Sequence, residues 1–341
     1  EFRRVLFRSV GQDRRGRDEA VIVEVLERKH ATIVGRLQRE HDVLFLVPSD
    51  RRITHQVLVP EKEAHGAQPG QVVTVELLTH PSVDLRDDYT PPVGRIAEIV
   101  GNATDPGIEI EIALRKHELP FEFSPGATAQ AAKLPAQVRK ADWEGRESVQ
   151  DLALVTIDGE TARDFDDAVY CEREGKGFRL VVAIADVSHY VEDGSALDVD
   201  ALERGNSVYF PRRVIPMLPE KLSNGLCSLN PDVDRLCMVC DMAIGPNGAI
   251  KRYRFYPSVM RSRARLTYTQ VAAALAEPQG EVARSLPVPV ERLQILEELF
   301  RLLLRERERR GAIDFESIET QFIFDKAGRL IRIDQIGRAH V

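Results

Sequence analysis

The sequence predicts an α+β protein in which a five-stranded OB-type β-barrel precedes a mixed α/β domain. Three observations carry this reading. Short β-rich runs broken by proline and glycine fill residues 21–101. Beyond Leu152 the pattern changes to apolar strands interspersed with loops and helical segments. Residues 290–310 then carry apolar side chains at helical spacing.

The two ends, EFRRVLFRSV at 1–10 and IGRAHV at 336–341, fit neither the periodicity nor the composition of their neighbours. Codons for LFR and IGR can be reverse complements, as adaptor read-through at both ends of a DNA fragment would give. Both tails are therefore expected to be non-native, with residues 11–335 a piece of a longer protein, which the nucleotide sequence would check. VIVEVLE at 21–27 echoes RIAEIVG at 95–101, so residues 11–28 read as the last strand of a preceding copy. Residues 29–101 hold the barrel. Its strands are ATIVGRL, VLFLVPSD, HQVLVP, QVVTVELL and VGRIAEIVG, punctuated by Pro60, Gly66, Pro69, Gly70 and Pro91–Pro92. Residues 102–150 read as a connector with one helix around 127–140. Residues 151–335 begin with the strands LALVTID, DAVYCE and FRLVVAIADV. A helix follows through Leu293, Leu296, Leu299, Phe300, Leu303 and Leu304, with Gly311 placed to stop it. That helix is assigned to core packing.

A chain of 341 residues accommodates two or three domains. With 43% apolar and 30% charged residues, it has the composition of an ordinary globular protein. No apolar run approaches the roughly 20 residues of a membrane span, and no signal peptide opens the chain, so no membrane association is expected. Cys171, Cys227, Cys237 and Cys240 are too irregularly spaced for a disulfide framework, which suits a reducing cytoplasm. The net charge of -7 argues against a duplex binder. It argues less against an enzyme that channels one strand, where positive charge need line only one groove.

The segment TIDGETARDFDDAV places four aspartates, Asp158, Asp164, Asp166 and Asp167, within ten positions. Crowded carboxylates raise one another's pKa unless cations neutralise them. Mg²⁺ prefers oxygen ligands and keeps waters for substrate. Two such ions about 4 Å apart can activate a water and stabilise a leaving oxygen in phosphodiester hydrolysis. A solvated acidic loop is the plain alternative. It is disfavoured because Asp158 ends an apolar strand while Asp166 and Asp167 abut the next, beside a core where unpartnered carboxylates are costly. An EF-hand fails, because Gly159 falls at the second position and not the sixth. The stretch KRYRFYPSVMRSRAR at 251–265 interleaves Lys251, Arg252, Arg254, Arg261, Arg263 and Arg265 with Tyr253, Phe255 and Tyr256. It reads either as a half-exposed strand or, with the acidic cluster nearby, as a single-strand groove. SVYFPRR at 207–213 adds another ring beside arginines. Cys237-x-x-Cys240 lacks a second ligand pair and reads as part of a buried strand. The eight histidines form no metal or triad pattern.

DLALVTIDGETARDFDDAVYCE, LVVAIADVSHYV, SVYFPRRVIPMLPEKLSNGLCSLNP and ARLTYTQV together resemble the catalytic domain of the ribonuclease II/ribonuclease R family, the RNB-type exoribonucleases. The wording is closer to the bacterial ribonuclease R branch, and the similarity runs from about Arg14 to Asp334. The resemblance implies cold-shock-type OB domains ahead of an RNB catalytic domain. Residues 11–28 then become the remnant of a first cold-shock domain, 29–101 the second, and 151–335 the N-terminal part of the catalytic domain. It implies processive 3′-to-5′ hydrolysis of single-stranded RNA to nucleoside 5′-monophosphates with Mg²⁺, and no obligate protein partner. By resemblance, Asp158, Asp164 and Asp167 hold metal and its waters, and Asp166 is most directly required for cleavage. Tyr209 and Phe315 stack the terminal nucleotides, and Tyr268 lies beside the scissile end.

The family pattern continues with a helix bearing paired glutamates, a serine-proline-isoleucine-arginine stretch that grips phosphate, and an S1 domain. None is in this sequence, so the chain alone is expected to be inactive or nearly so, and to fold poorly. Two other readings stand beside the nuclease: a non-catalytic single-stranded RNA-binding module, and an unrelated Mg²⁺ phosphohydrolase. The basic-aromatic stretch argues against the second, because a small phosphate ester does not need it.

Overall fold

The computed structural model describes residues 2–28, 30–83, 89–313, 318–325 and 328–337. The chain divides into two compact units, Glu1–Phe121 with Phe324–Ile331 and Glu122–Ile323 with Arg332–Val341.

The first unit opens with an antiparallel hairpin of β1 (Phe2–Gln12) and β2 (Asp18–Arg28). Its turn is closed by the Asp13 carboxylate, which accepts from the backbone N–H of Arg15 at 2.8 Å and of Arg17 at 2.9 Å. Gly16 supplies the positive φ of 74° there. Next come β3 (Thr32–Glu40), β4 (Val43–Pro48), β5 (Val57–Val59) and β6 (Gln71–Thr79). A short pairing of β7 (Ser82–Val83) with β8 (Tyr89–Thr90) precedes β9 (Val93–Asn102). The five expected runs fold as one closed barrel in the order β3-β4-β5-β9-β6. Alternate residues point inward, and Leu37, Leu46, Val57, Val73, Val75 and Ile96 fill the interior with at most 1% exposure. Two walls approach so closely that only glycine fits. A Cβ on Gly35 would lie 2.2 Å from the Val47 carbonyl oxygen, and one on Gly94 would lie 2.2 Å from Val75 Cγ1.

Residues 102–150 hold two helices where the sequence suggested one. The additional helix, α1 (Ile108–Lys116), has the sequence IEIEIALRK, whose first half alternates like a strand. A tertiary contact decides between the two periods: Ile108 packs with Val34 and Val72 on the barrel. Gly107, at φ 89°, turns the chain into the helix.

The second helix of that segment, α2 (Pro125–Lys133), lies in the second unit and is capped by Ser124, whose hydroxyl accepts from the Ala127 N–H at 3.1 Å. It ends at Lys133 and does not reach Lys140, because Leu134 is held extended ahead of Pro135. The unit is built on β10 (Glu147–Ser148), β11 (Val155–Asp158), β12 (Asp167–Glu174) and β13 (Gly177–Ala185). After α3 (Ala196–Arg204), β14 (Val208–Phe210) and β15 (Arg213–Ile215) pair as a separate ribbon. β16 (Asp234–Ile244), β17 (Ile250–Arg261) and β18 (Ala264–Thr267) complete a seven-stranded sheet, ordered β10-β17-β16-β13-β12-β11-β18. The LCMVCDMAI run is therefore a strand, as read, and all four cysteines are free.

Alternation along β12 divides its side chains between the two faces of the sheet. Ala168 and Tyr170 join a core with Val181, Ala183, Leu236 and Val239, together with Ala127 and Ala131 of α2 and Leu197 of α3. Cys171 faces the other way, packing with Phe178, Ile244 and Leu299. Leu299 belongs to α6 (Val290–Arg309), which follows α4 (Tyr268–Ala276) and α5 (Glu281–Ser285); Gly311, at φ 76°, follows the last turn of α6. No helix among the described residues is long and apolar enough to cross a membrane.

Gly35→Ala is expected to destabilise the barrel by about 1–3 kcal/mol through overpacking. Urea unfolding of the two proteins checks this. An unchanged midpoint would mean that the backbone at Val47 yields freely.

Candidate active site

The four aspartates come together because two strands end at the same place. Asp158 is the last residue of β11 and Asp167 the first of β12, and Asp164 and Asp166 lie in the segment joining them. Both Asp166 and Asp167 titrate above the ordinary aspartate value of 3.8. For Asp166 the cause is first desolvation, then the charges of Asp164, Asp167 and Asp158; for Asp167 it is desolvation, then Asp158. Among the described residues neither carboxylate has an ion-paired or hydrogen-bonded partner, whereas Asp158 accepts from the Gly159 N–H at 2.9 Å.

Two of the three expected rings reach the cluster. Tyr209 on β14 is 64% exposed, and its hydroxyl donates to Asp164 Oδ2 at 2.8 Å. Its phenol is pushed up to about 12 by burial of the hydroxyl end and by the bond to Asp164. Tyr268 opens α4 immediately after Thr267, which pairs with Asp158 across the parallel β11–β18 ladder. Burial raises its pKa, with the charges of Asp158 and Asp167 adding to the effect. Phe315 lies outside the described residues.

The segment bearing Asp164 and Asp166 is held from outside. Phe165, only 2% exposed, donates its N–H to the Ser228 hydroxyl at 3.1 Å and accepts from the Leu229 N–H at 2.8 Å. Ser228 Oγ donates in turn to the Arg163 carbonyl at 2.9 Å. Arg265 donates to the carbonyls of Glu160 and Ala162, both at 3.0 Å, and stacks over the Phe165 ring at 4.7 Å. Ser228 was not singled out in the sequence, where it sits inside the NGLCSLNP wording. No spacing rule marks a serine that bonds 63 residues away.

The β17 part of the basic-aromatic stretch is placed elsewhere, whereas Arg265 on β18 reaches the aspartate-bearing segment. Along the sheet Asp167 aligns with Ile184, Met238 and then Pro257. Three strand spacings, about 14 Å, therefore separate the cluster from β17. Arg252 pairs with Glu174, Arg254 with Glu147 and Arg261 with Asp234. Arg263 and Arg265 bond backbone carbonyls. The half-exposed strand accounts for these residues, with Tyr256 buried and Tyr253 and Phe255 exposed.

Among the described residues, no group of three or more His, Cys, Asp or Glu side chains is gathered tightly enough to enclose a metal ion. The donor set nevertheless suits a hard divalent cation. It is all carboxylate, burial first and neighbouring charges second raise the pKa of two of its members, and Asp164 accepts from the Tyr209 hydroxyl.

Since the folded protein holds protons on Asp166 and Asp167 more tightly than the unfolded chain, stability falls as pH rises above 3.8 through the raised folded values. The cost is then fully present at neutral pH. Asp166→Asn is expected to melt a few degrees higher at about pH 7, with the gain fading towards about pH 3. Calorimetry at the two pH values checks this, and a gain that does not depend on pH would count against the repulsion.

Comparison with known proteins bears on the whole chain. The RNB domain family matches residues 146–340, and the cold shock domain family matches residues 45–124. Ribonuclease R of Escherichia coli (strain K12) is 49% identical over 335 residues, which is 98% of this chain and 40% of that protein. Ribonuclease R of Acidithiobacillus ferrooxidans is 47% identical over 313 residues, 91% of this chain and 70% of that protein. The solved structure of Mycoplasma genitalium RNase R in complex with ribose methylated single-stranded RNA superposes with a TM-score of 0.86 at 28% identity, covering 97% of this chain and 52% of that one. This chain thus spans about two fifths of the length of its Escherichia coli relative. A cold shock barrel, the mixed α/β sheet with its aspartates at adjoining strand ends, and these matches agree: the chain belongs to the RNB family, in its bacterial ribonuclease R branch.

Proposed function

We propose that this chain belongs to a Mg²⁺-dependent exoribonuclease that degrades single-stranded RNA processively from the 3′ end to nucleoside 5′-monophosphates. The observation that carries the proposal is the convergence of four aspartates with two tyrosines at the adjoining ends of β11 and β12. Carboxylates with no ion-paired protein cation among the described residues suit a metal-assisted hydrolysis, and exposed rings beside them suit a stacked nucleotide.

In this reading Asp158, Asp164 and Asp167 hold Mg²⁺. When bound, the ion neutralises the carboxylates, lowers the pKa of a bound water and offsets charge on the cleaved phosphate. Asp166, free of any partner among the described residues, orients the attacking water. The Tyr209 ring stacks on the terminal base while its hydroxyl steadies Asp164. Tyr268 lies beside the scissile end, and Phe315, outside the described residues, is the second ring proposed to stack a terminal nucleotide. Free cysteines suit a reducing cytoplasm, and no protein partner is required. The 341 residues alone carry little of this activity, in line with the 40% share of the Escherichia coli relative that they span.

Cleavage is therefore tested in a chain joined to the remaining length of that relative, on 3′-extended single-stranded RNA. Monophosphates are expected with Mg²⁺ and none with a chelator. Asp166→Asn is expected to slow release by about 10²–10⁴-fold. Tyr209→Ala is expected to weaken RNA binding by about 1–3 kcal/mol. If neither form digests RNA and both bind it equally, the protein is a binding module and not a nuclease.

A further inference from the structure

Four carboxylates on one short segment repel one another, and among the described residues no ion pair to them is seen. Their spacing must come from the backbone, and the segment 159–166 has no strand partner of its own until Asp166, whose carbonyl accepts from the Ala185 N–H at 2.8 Å. Two side chains supply what the ladder does not. Ser228, fully buried, bridges the Arg163 carbonyl and the Phe165 N–H, so it grips the peptide groups on both sides of Asp164. The buried Arg235 fixes Ser228 in turn, donating Nε–H to its carbonyl at 2.7 Å. Arg265 bridges the carbonyls of Glu160 and Ala162 and covers the Phe165 ring, gripping the half of the segment that follows Asp158.

We infer that Ser228 and Arg265 are positioning residues. Together they fix the backbone from which the aspartates reach a divalent cation, Ser228 for Asp164 and Asp166 and Arg265 for the turn after Asp158. The inference rests on the Mg²⁺ reading of the aspartates given above. Neither residue touches the ion. Each acts through backbone groups, as outer partners of metal ligands do in general.

Arg265 makes the inference separable from simple electrostatics. As a nearby positive charge it repels a cation, so removing that charge should tighten binding if charge is all that matters. If it positions the segment, removal should weaken binding. The test uses the 341-residue chain and Mn²⁺ alone as the probe, followed by the loss of the free-ion paramagnetic signal on titration. Melting temperature is recorded for every variant. Ser228→Ala and Arg265→Met are each expected to weaken Mn²⁺ binding by about 10–100-fold while remaining folded. Ser228→Thr, which keeps the hydroxyl, and Arg265→Lys, which keeps the charge but loses the planar group over the Phe165 ring, complete the set. Thr is expected to restore binding and Lys to leave it weak.

Asp167→Asn separates the two levels of the argument. If the unaltered chain takes up no Mn²⁺, or if Asp167→Asn binds as the unaltered chain does, the metal reading fails and this inference falls with it. If Asp167→Asn abolishes binding but Ser228→Ala and Arg265→Met bind as tightly as the unaltered chain or tighter, the inference alone is overturned. A Ser228→Ala chain that melts early is set aside in favour of Arg265→Met. The Arg265 side chain is exposed, and its loss leaves no cavity.

Discussion

The mutual repulsion of Asp158, Asp164, Asp166 and Asp167 is the constraint around which the second unit is organised. Left to itself, an acidic segment of this density would spread into solvent. Here it is trapped between two strands whose apolar residues belong to separate cores, Val155 with Leu266 on one side of the sheet and Ala168 with Val181 on the other. The strands cannot separate without exposing both cores. The charges are therefore kept together by the packing of both cores, which suits a site built at the expense of stability.

The topology decides what else reaches the cluster. β11 lies between the antiparallel β12 and the parallel β18, and the parallel step delivers the start of α4, with Tyr268, to the end where Asp158 sits. A parallel connection needs a long crossover, and the residues between β12 and β18 are used fully. They lay down β13, β16 and β17, the ribbon that brings Tyr209, and the turn that brings Ser228. Residues scattered across more than a hundred positions thus meet through one rule of sheet geometry.

Much of this was legible in the sequence. Proline and glycine punctuation marked the five barrel strands, and 3.6-residue periodicity marked α6 almost to the residue. The aspartate spacing pointed to the site because charge density is a local property. What was hidden depended on partners. The helix at IEIEIALRK was missed inside the connector because its first half alternates, and it is Val34 and Val72 that bury Ile108. The arginines of 251–265 looked like a groove because their counter-charges, Glu147, Glu174 and Asp234, lie far away in sequence. Ser228 carried no signal, since a buried hydroxyl is recognised only by what it bonds.

Phe165 links two properties usually treated apart. Its ring is part of the same apolar cluster as Leu229, Cys227 and Tyr190, and its two neighbours in sequence are acidic residues of the site. A small loosening of that cluster, such as a distant substitution might cause, would tilt the Phe165 peptide before it unfolded anything. On the proposed Mg²⁺ reading, ion affinity would then act as a strain gauge for the interior, registering damage to the core while the protein still melted as a folded whole. For such a protein, drift in core residues is limited by function well before it is limited by folding.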